Sequence, residues 1–499
     1  MAEGPGRLQD VVDAGLWPLV ETFLGSHDAA GVAVAVVRDE EVVARGFGVR
    51  DNRNGAPVTP ETMFHLASVS KPFVATAIVS LAIARDGDSP VLDLDAPITD
   101  RVPELTLADG RAAEVTARNL LSHTSGLPDV SEYGWHDPQL GDDALSEFAR
   151  SLSGWRLQAE PGAEFSYSNA GYELLGLLLS RVTGTTFEEA VRQQVLAPLG
   201  MRESTFLHSE VPAHLAASPH VGRPLTVPGD AYPYTRRHAP SSTLHSNLVE
   251  MCRWLVAHLE PARPAADGSG GSGGAWARLD RGIVDLMSRP VAPIGSPPWE
   301  ESAALGWALG SYRGHRTLGH SGADPGFGSR VVLVPDRRTG VVVLANSNTV
   351  PTSYLCTAAL DLALATPDGP GEGIASMRSL LPPIVSPVAA VLTGSGPDAA
   401  VEEFHRLAAL EPAGFDLDDD GFEGAVWGAI ELHRTDLVWP LLRVWTELRP
   451  DSATAWTMTG WAHQVDGRPD LARPLLRRAL DLDPGNEDAA LIMGNLTSE

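Results

Sequence analysis

Small and β-branched residues alternate along Gly31-Val-Ala-Val-Ala-Val-Val-Arg38, which predicts a strand. Residues 41–49 continue in kind beyond Asp39-Glu40, so the two segments are expected to pair as a hairpin. From Val69 to about Arg85 the pattern becomes helical and apolar nearly all round, which places that helix in the centre of a domain. Residues 86–300 carry mainly helical signals and polar loops. The Gly/Ser run at 267–274 is expected to be an insertion tip inside the domain. Strand signals return at 303–313, 315–319, 327–335 and 340–346, and 352–365 reads as a closing helix. Two strands, a long helical middle and several further strands imply an α/β fold. Its expected form is one antiparallel sheet flanked by helices, assembled from both ends of the region, with an all-helical part inserted.

Residues 366–396 are rich in Pro, Gly and Ser and read as a linker. From 397 the chain turns helical again, with a repeat. Counting back from Pro484, residues Trp456, Gly460, Gly467, Ala472, Leu476 and Ala479 fall on tetratricopeptide positions of a 34-residue period. Pro450 with Leu442, and Pro412 with Phe404, mark poorer copies. The expected division is therefore 1–365, a linker at 366–396, and a helical repeat tail at 397–499. Two and a half repeats are fewer than usually stand alone, so the tail is expected to lean on the first domain, on a protein partner or on a second copy.

Composition narrows the function. The chain has 499 residues, too many for one ordinary core. Its 43% apolar and 20% charged residues are those of a globular protein. A net charge of −27 argues against nucleic acid and anionic membrane as partners. The longest apolar stretch, Phe73 to Ala84, is too short to span a bilayer, and the first residues lack a basic-then-apolar signal pattern. A soluble cytoplasmic protein is expected. Cys252 and Cys356 are far apart and read as buried small apolar residues. Asp416, Asp418, Asp420 and Gly421 begin like a calcium loop, but its twelfth position is Trp427, which cannot ligate. No metal and no cofactor are expected.

One count changes the picture. Of 37 Lys and Arg residues, 36 are Arg and the single Lys is Lys71. Arg stays protonated in proteins, whereas a buried Lys can become a base. Lys71 lies in Ser68-Val69-Ser70-Lys71, whose three-residue spacing puts both side chains on one helical face. A serine hydroxyl needs a neighbour to take its proton, and a Lys with a lowered pKa can do so. Alone, Ser-x-x-Lys is a frequent accident. Tyr167-Ser168-Asn169 adds a phenol that can share a proton and an amide that can hold Lys71 or a substrate carbonyl. His320-Ser321-Gly322, between two strand signals, adds a Gly that admits a close approach. The Ala323 N–H just beyond it can join that of Ser68 to bind an oxyanion. His123 in Ser122-His123-Thr124 reads better as a loop anchor bonded to backbone than as a second base.

The three motifs in this order resemble the serine β-lactamase and penicillin-binding-protein superfamily, above all its class C-like branch of esterases, D-amino-acid peptidases and transesterases. The phrases Phe64-His65-Leu66-Ala67-Ser68-Val69-Ser70-Lys71-Pro72, Leu120-Leu121-Ser122-His123-Thr124-Ser125-Gly126-Leu127 and Gly319-His320-Ser321-Gly322 agree, and the likeness covers roughly residues 8–365. It implies an active site in a cleft between an α/β part and a helical part. By that resemblance Ser68 is the acylated nucleophile and Lys71 with Tyr167 is the proton-transfer pair. Asn169 then positions Lys71 and substrate.

One departure bears on substrate. Many lactam-binding members carry Lys where this chain has His320, and a His of ordinary pKa is mostly neutral at pH 7. The expectation is a small-molecule ester or amide, including a D-amino-acid peptide, cleaved through acyl-Ser68. Acyl transfer by the same nucleophile, β-lactam hydrolysis, and an inert scaffold that binds partners through its repeats are the alternatives.

Overall fold

The computed structural model describes residues 7–496, apart from 28, 88, 221–231, 262–276, 348–349, 365–370, 411–413 and 432–434. The expected insertion tip at 267–274 and Pro412 lie outside the described residues.

Nine strands form one antiparallel sheet. They are β1 (Gly31–Arg38), β2 (Glu41–Asp51), β3 (Ala56–Pro57), β4 (Ala292–Ser296), β5 (Glu300–Ala303), β6 (Ala308–Tyr312), β7 (His315–Asp324), β8 (Phe327–Val334) and β9 (Thr339–Ala345). Their spatial order is β3-β2-β1-β9-β8-β7-β6-β5-β4. The N-terminal hairpin thus meets the last strand of the sheet, with Val34 opposite Val343. The expected turn at Asp39-Glu40 is present, and Asp39 takes a left-handed φ of 58°.

Alternation along β1 serves two cores. Val32, Val34 and Val36 face helices α1 (Leu8–Gly15), α2 (Trp17–His27) and the later Thr352–Leu364. Ala33, Ala35 and Val37 face α3 (Lys71–Ile83) and the helix Leu248–Leu259. All six side chains are buried, each valine contributing about 1.5–3 kcal/mol. The helical region between β3 and β4 packs on the second face. Its central helix is α4 (Asn169–Thr183), capped by the Ser168 hydroxyl on Gly171 N–H and ended by Gly184 in the left-handed region.

Three expectations need correction. The single strand signal at 303–313 is two strands, broken where Gly306 adopts a φ of 79° beside Ala75. The strand expected at 315–319 runs on to Asp324, so His320 to Ala323 lie on β7 rather than in a turn. The stretch expected as a linker, 366–396, contains the helices Glu372–Ser379 and Val385–Ser395. Two of its glycines, Gly371 and Gly373, allow close approach. A Cβ at Gly371 would overlap the Asp361 carboxylate, and one at Gly373 would meet Ala358 N at 2.4 Å. The buried Asp361 accepts Gly373 N–H at 2.9 Å and Tyr312 OH at 2.5 Å, pinning this segment to the sheet.

Beyond it come helices Pro397–Ala408, Asp420–Glu431, Thr435–Leu448, Ala453–Val465, Pro469–Leu482 and Glu487–Asn495; from Asp420–Glu431 onward each packs on the next, while Pro397–Ala408 packs on Thr435–Leu448. Gly460 admits Leu476, whose side chain would lie 2.7 Å from a Cβ there, and Ala472, Leu476 and Ala479 are fully buried. No described helix is long and apolar enough to cross a membrane.

Candidate active site

The chain enters the site through Phe64-His65, which pairs with His245-Ser246. Ser68 then sits in a 3-10 turn, Ala67–Ser70, rather than in the helix itself, and α3 starts at Lys71. Ala67 holds a φ of 46°, a conformation that costs a side-chain-bearing residue on the order of 1–3 kcal/mol. The strain turns the chain sharply before Ser68. It is sustained from both sides: Leu66 O accepts from Ser329 Oγ at 2.6 Å, and Leu244 N–H donates to Ser70 Oγ at 2.9 Å.

Lys71 is fully buried, and its Nζ has three partners. It lies 2.9 Å from Ser68 Oγ, 2.6 Å from Asn169 Oδ1 and 2.9 Å from Ser241 O. Two of these, an amide oxygen and a peptide carbonyl, can only accept. A neutral Lys71 would spend both of its protons on them and turn its lone pair to Ser68. Burial lowers Lys71 from 10.5 to about 8, against the opposing pull of Glu173, Asp129 and Asp324. Tyr167 OH donates to Ser68 Oγ at 3.0 Å. Burial raises its pKa, so the phenol stays protonated.

Asn169 is oriented by Asp129, which the sequence reading did not single out. Asp129 Oδ1 accepts the Asn169 backbone N–H at 2.7 Å, and its Oδ2 accepts Nδ2 at 3.0 Å. With Nδ2 so engaged, Oδ1 must face Lys71. Asp129 follows Leu127-Pro128 in the loop after His123, and no local pattern distinguishes it from a turn Asp. His123 is the loop anchor expected of it. Its Nδ1 accepts Ser168 N–H at 3.1 Å, its carbonyl accepts Ser166 N–H at 2.8 Å, and its ring stacks on Tyr167 at 4.3 Å. Burial and the charge of Lys71 hold it neutral.

The third motif forms the opposite wall. β6 pairs with β7 only as far as Gly319, whereas β8 pairs with it through Asp324. Residues 320–324 therefore keep one edge open to the cleft. Gly322 lets that strand press on the serine turn, since a Cβ there would lie 2.4 Å from Leu66 O and 2.9 Å from Ser68 N. Buried His65 Nε2 bonds Asp324 Oδ2 at 2.7 Å and ties the same two segments together. His320 Nδ1 donates to Ser321 O at 2.7 Å, and its pKa lies below the ordinary value through burial and the charge of Lys71.

The cleft holds about 500 Å³. Ser68, Tyr167, His320, Ser321, Gly322 and Ala323 line it, together with Phe165, Trp307 and Glu300. Lys71 and Asn169 lie beneath. A second cavity of about 530 Å³ is lined in part by Arg236 and Glu188, which pair with each other at 2.7 Å. Both cysteines are buried with pKa values pushed up to about 12, as expected of inert thiols. Among the described residues no cluster of His, Cys, Asp or Glu is arranged to hold a metal ion.

This geometry meets an independent finding. The model of the family described as Beta-lactamase matches residues 18–365. The chain belongs to that family. Its members are serine hydrolases. The chain is 30% identical to Penicillin-binding protein 4 of Amycolatopsis lactamdurans over 66% of its own length and 83% of that protein's. It is 26% identical to Protein flp of Staphylococcus aureus, of which it spans 62%. Among solved structures, the octameric penicillin-binding protein homologue from Pyrococcus abyssi superimposes with a TM-score of 0.60 at 26% identity, covering 73% of this chain and 80% of that one. The resemblance drawn from the three motifs and the α/β fold expected from the strand pattern both hold.

Proposed function

We propose that the protein cleaves an ester or amide through an acyl intermediate on Ser68. The observation that carries this reading is the set of partners around Lys71, which leaves its lone pair nowhere to point but Ser68. Lys71 Nζ takes the hydroxyl proton as Ser68 Oγ bonds to the substrate carbonyl carbon. The resulting oxyanion is bound by the N–H groups of Ser68 and Ala323. The carbonyl re-forms, the bond to the leaving oxygen or nitrogen breaks, and Tyr167 passes it a proton that Lys71 replaces. Water then adds to the acyl carbon by the same path and frees Ser68.

Tyr167 acts here as a neutral relay, in keeping with its raised pKa. Asn169 holds Lys71. Neutral His320 and a cleft whose described lining contains no Arg or Lys favour an ester or amide without a carboxylate, a D-amino-acid amide among them, over a β-lactam. The catalytic unit is residues 1–365. The helical tail, read as tetratricopeptide-like from its 34-residue period, serves assembly instead of chemistry.

The test is intact mass after exposure to a fluorophosphonate probe and to p-nitrophenyl esters. One adduct is expected on the wild type and none on Ser68→Ala. Equal labelling of both would remove Ser68 from the reaction, and efficient turnover of a chromogenic cephalosporin would overturn the substrate preference.

A further inference from the structure

Four residues after Asn169, one turn along the same face of α4, stands Glu173. It is fully buried between Tyr172 and Leu174 in a helix otherwise rich in leucine. Its Oε1 accepts from Ser241 Oγ at 2.6 Å and pairs with His238 Nδ1 at 3.1 Å, while its Oε2 has no hydrogen-bond partner among the described residues. Ser241 is also the residue whose carbonyl holds Lys71 Nζ. One serine thus joins the two groups, its hydroxyl on the carboxylate and its carbonyl on the amine. Burying a carboxylate with one oxygen unpaired is costly, and apolar side chains of similar size would serve packing better. The surroundings of Glu173 therefore point to its charge rather than its bulk.

We propose that Glu173, anchored through Ser241, is a positioning residue that keeps Lys71 protonated in the resting site and so sets the pH at which Lys71 becomes a base. Two opposing influences act on Lys71. Burial favours the free amine, and nearby carboxylates favour the ammonium. Glu173 is the strongest of those carboxylates, ahead of Asp129 and Asp324. The other titratable groups around Lys71 are Tyr167 and Tyr172, whose ring centroids lie 5.0 and 5.5 Å from Nζ, and the neutral His123 and His320. Around Glu173 stand His238 and, with its ring centroid 5.0 Å from that histidine, Tyr133. Asp129 also orients Asn169, so its removal would disturb geometry as well as charge. Glu173→Gln keeps an acceptor for Ser241 and removes the charge alone.

Because Lys71 is the only lysine in the chain, full-length protein grown on [13Cε]lysine gives a single side-chain signal to titrate. The wild-type midpoint is expected near 8, as burial and the carboxylates balance. In Glu173→Gln it should fall by about one pH unit, which raises the ratio of free amine to ammonium roughly tenfold at a given pH. Glu173→Asp, which keeps the charge, should restore most of the midpoint. The rising limb of kcat/KM for a p-nitrophenyl ester should move to lower pH by the same amount. An unchanged midpoint in Glu173→Gln would overturn the proposal. So would a wild-type midpoint below about 6, a measurement that needs no variant to fold. Only the kinetic arm rests on the proposed function: an inert Ser68 would leave the lysine titration intact.

Discussion

The site beneath the sheet and the helical tail handle charge in opposite ways. Around Ser68, charged and polar groups are buried and interlocked: Lys71, Glu173, Asp324 and Asn169 are all almost without solvent contact. In the tail they are paired at the surface, as where Arg443 meets Asp398 at 2.9 Å with both side chains largely exposed. The tail core is built from Ala, Val, Leu, Ile, Met, Phe and Trp. Water screens the second arrangement, so its pairs contribute little. Shielded from water, the first can shift a lysine toward its free-amine form, at the cost of burying polar atoms that are not all satisfied, Glu173 Oε2 among them.

Three substitutions test that contrast. Lys71→Arg keeps the positive charge but supplies no base, and should lower kcat/KM by about 10³-fold, within the range for general-base loss. Near-wild-type turnover would show that charge, not proton transfer, is what position 71 provides. Leu476→Ala should destabilise the tail by about 3 kcal/mol, measured by urea denaturation, and leave ester kinetics unchanged. A matching loss of kcat would mean the two regions are coupled. Arg443→Ala should change stability by less than about 1 kcal/mol, and less still in high salt. A larger effect would place this pair with the buried network, against its exposure.

The degree to which sequence reported structure follows the same divide. The alternation of Val and Ala in β1 was legible because each side chain meets a separate core. Ser68, Lys71, Tyr167 and Asn169 were legible as residue types suited to one reaction, and they do converge on one oxygen and one amine. The strand carrying His320 to Ala323 was cut short because Ser, Gly, Ala and Asp lack the apolar alternation by which strands are recognised. Gly371 and Gly373 read as part of a linker because the groups they make room for, Asp361 and the backbone at Ala358, approach from another helix. Asp129, Ser241 and Glu173 carried no local signal at all, since each matters through a partner at least 40 residues away.

Sequence alone determined which groups are available: one serine at helical spacing from the only lysine, a phenol, an amide, and, between two strand signals, a glycine that admits a close approach. Those are properties of residue type and short-range periodicity. Tertiary structure decided how those groups are charged and aimed. The orientation of Asn169, the direction of the Lys71 lone pair and the balance between burial and neighbouring carboxylates depend on distances between segments that only folding brings together. Electrostatic interactions vary steeply with both distance and exposure, and neither is written in the order of the residues.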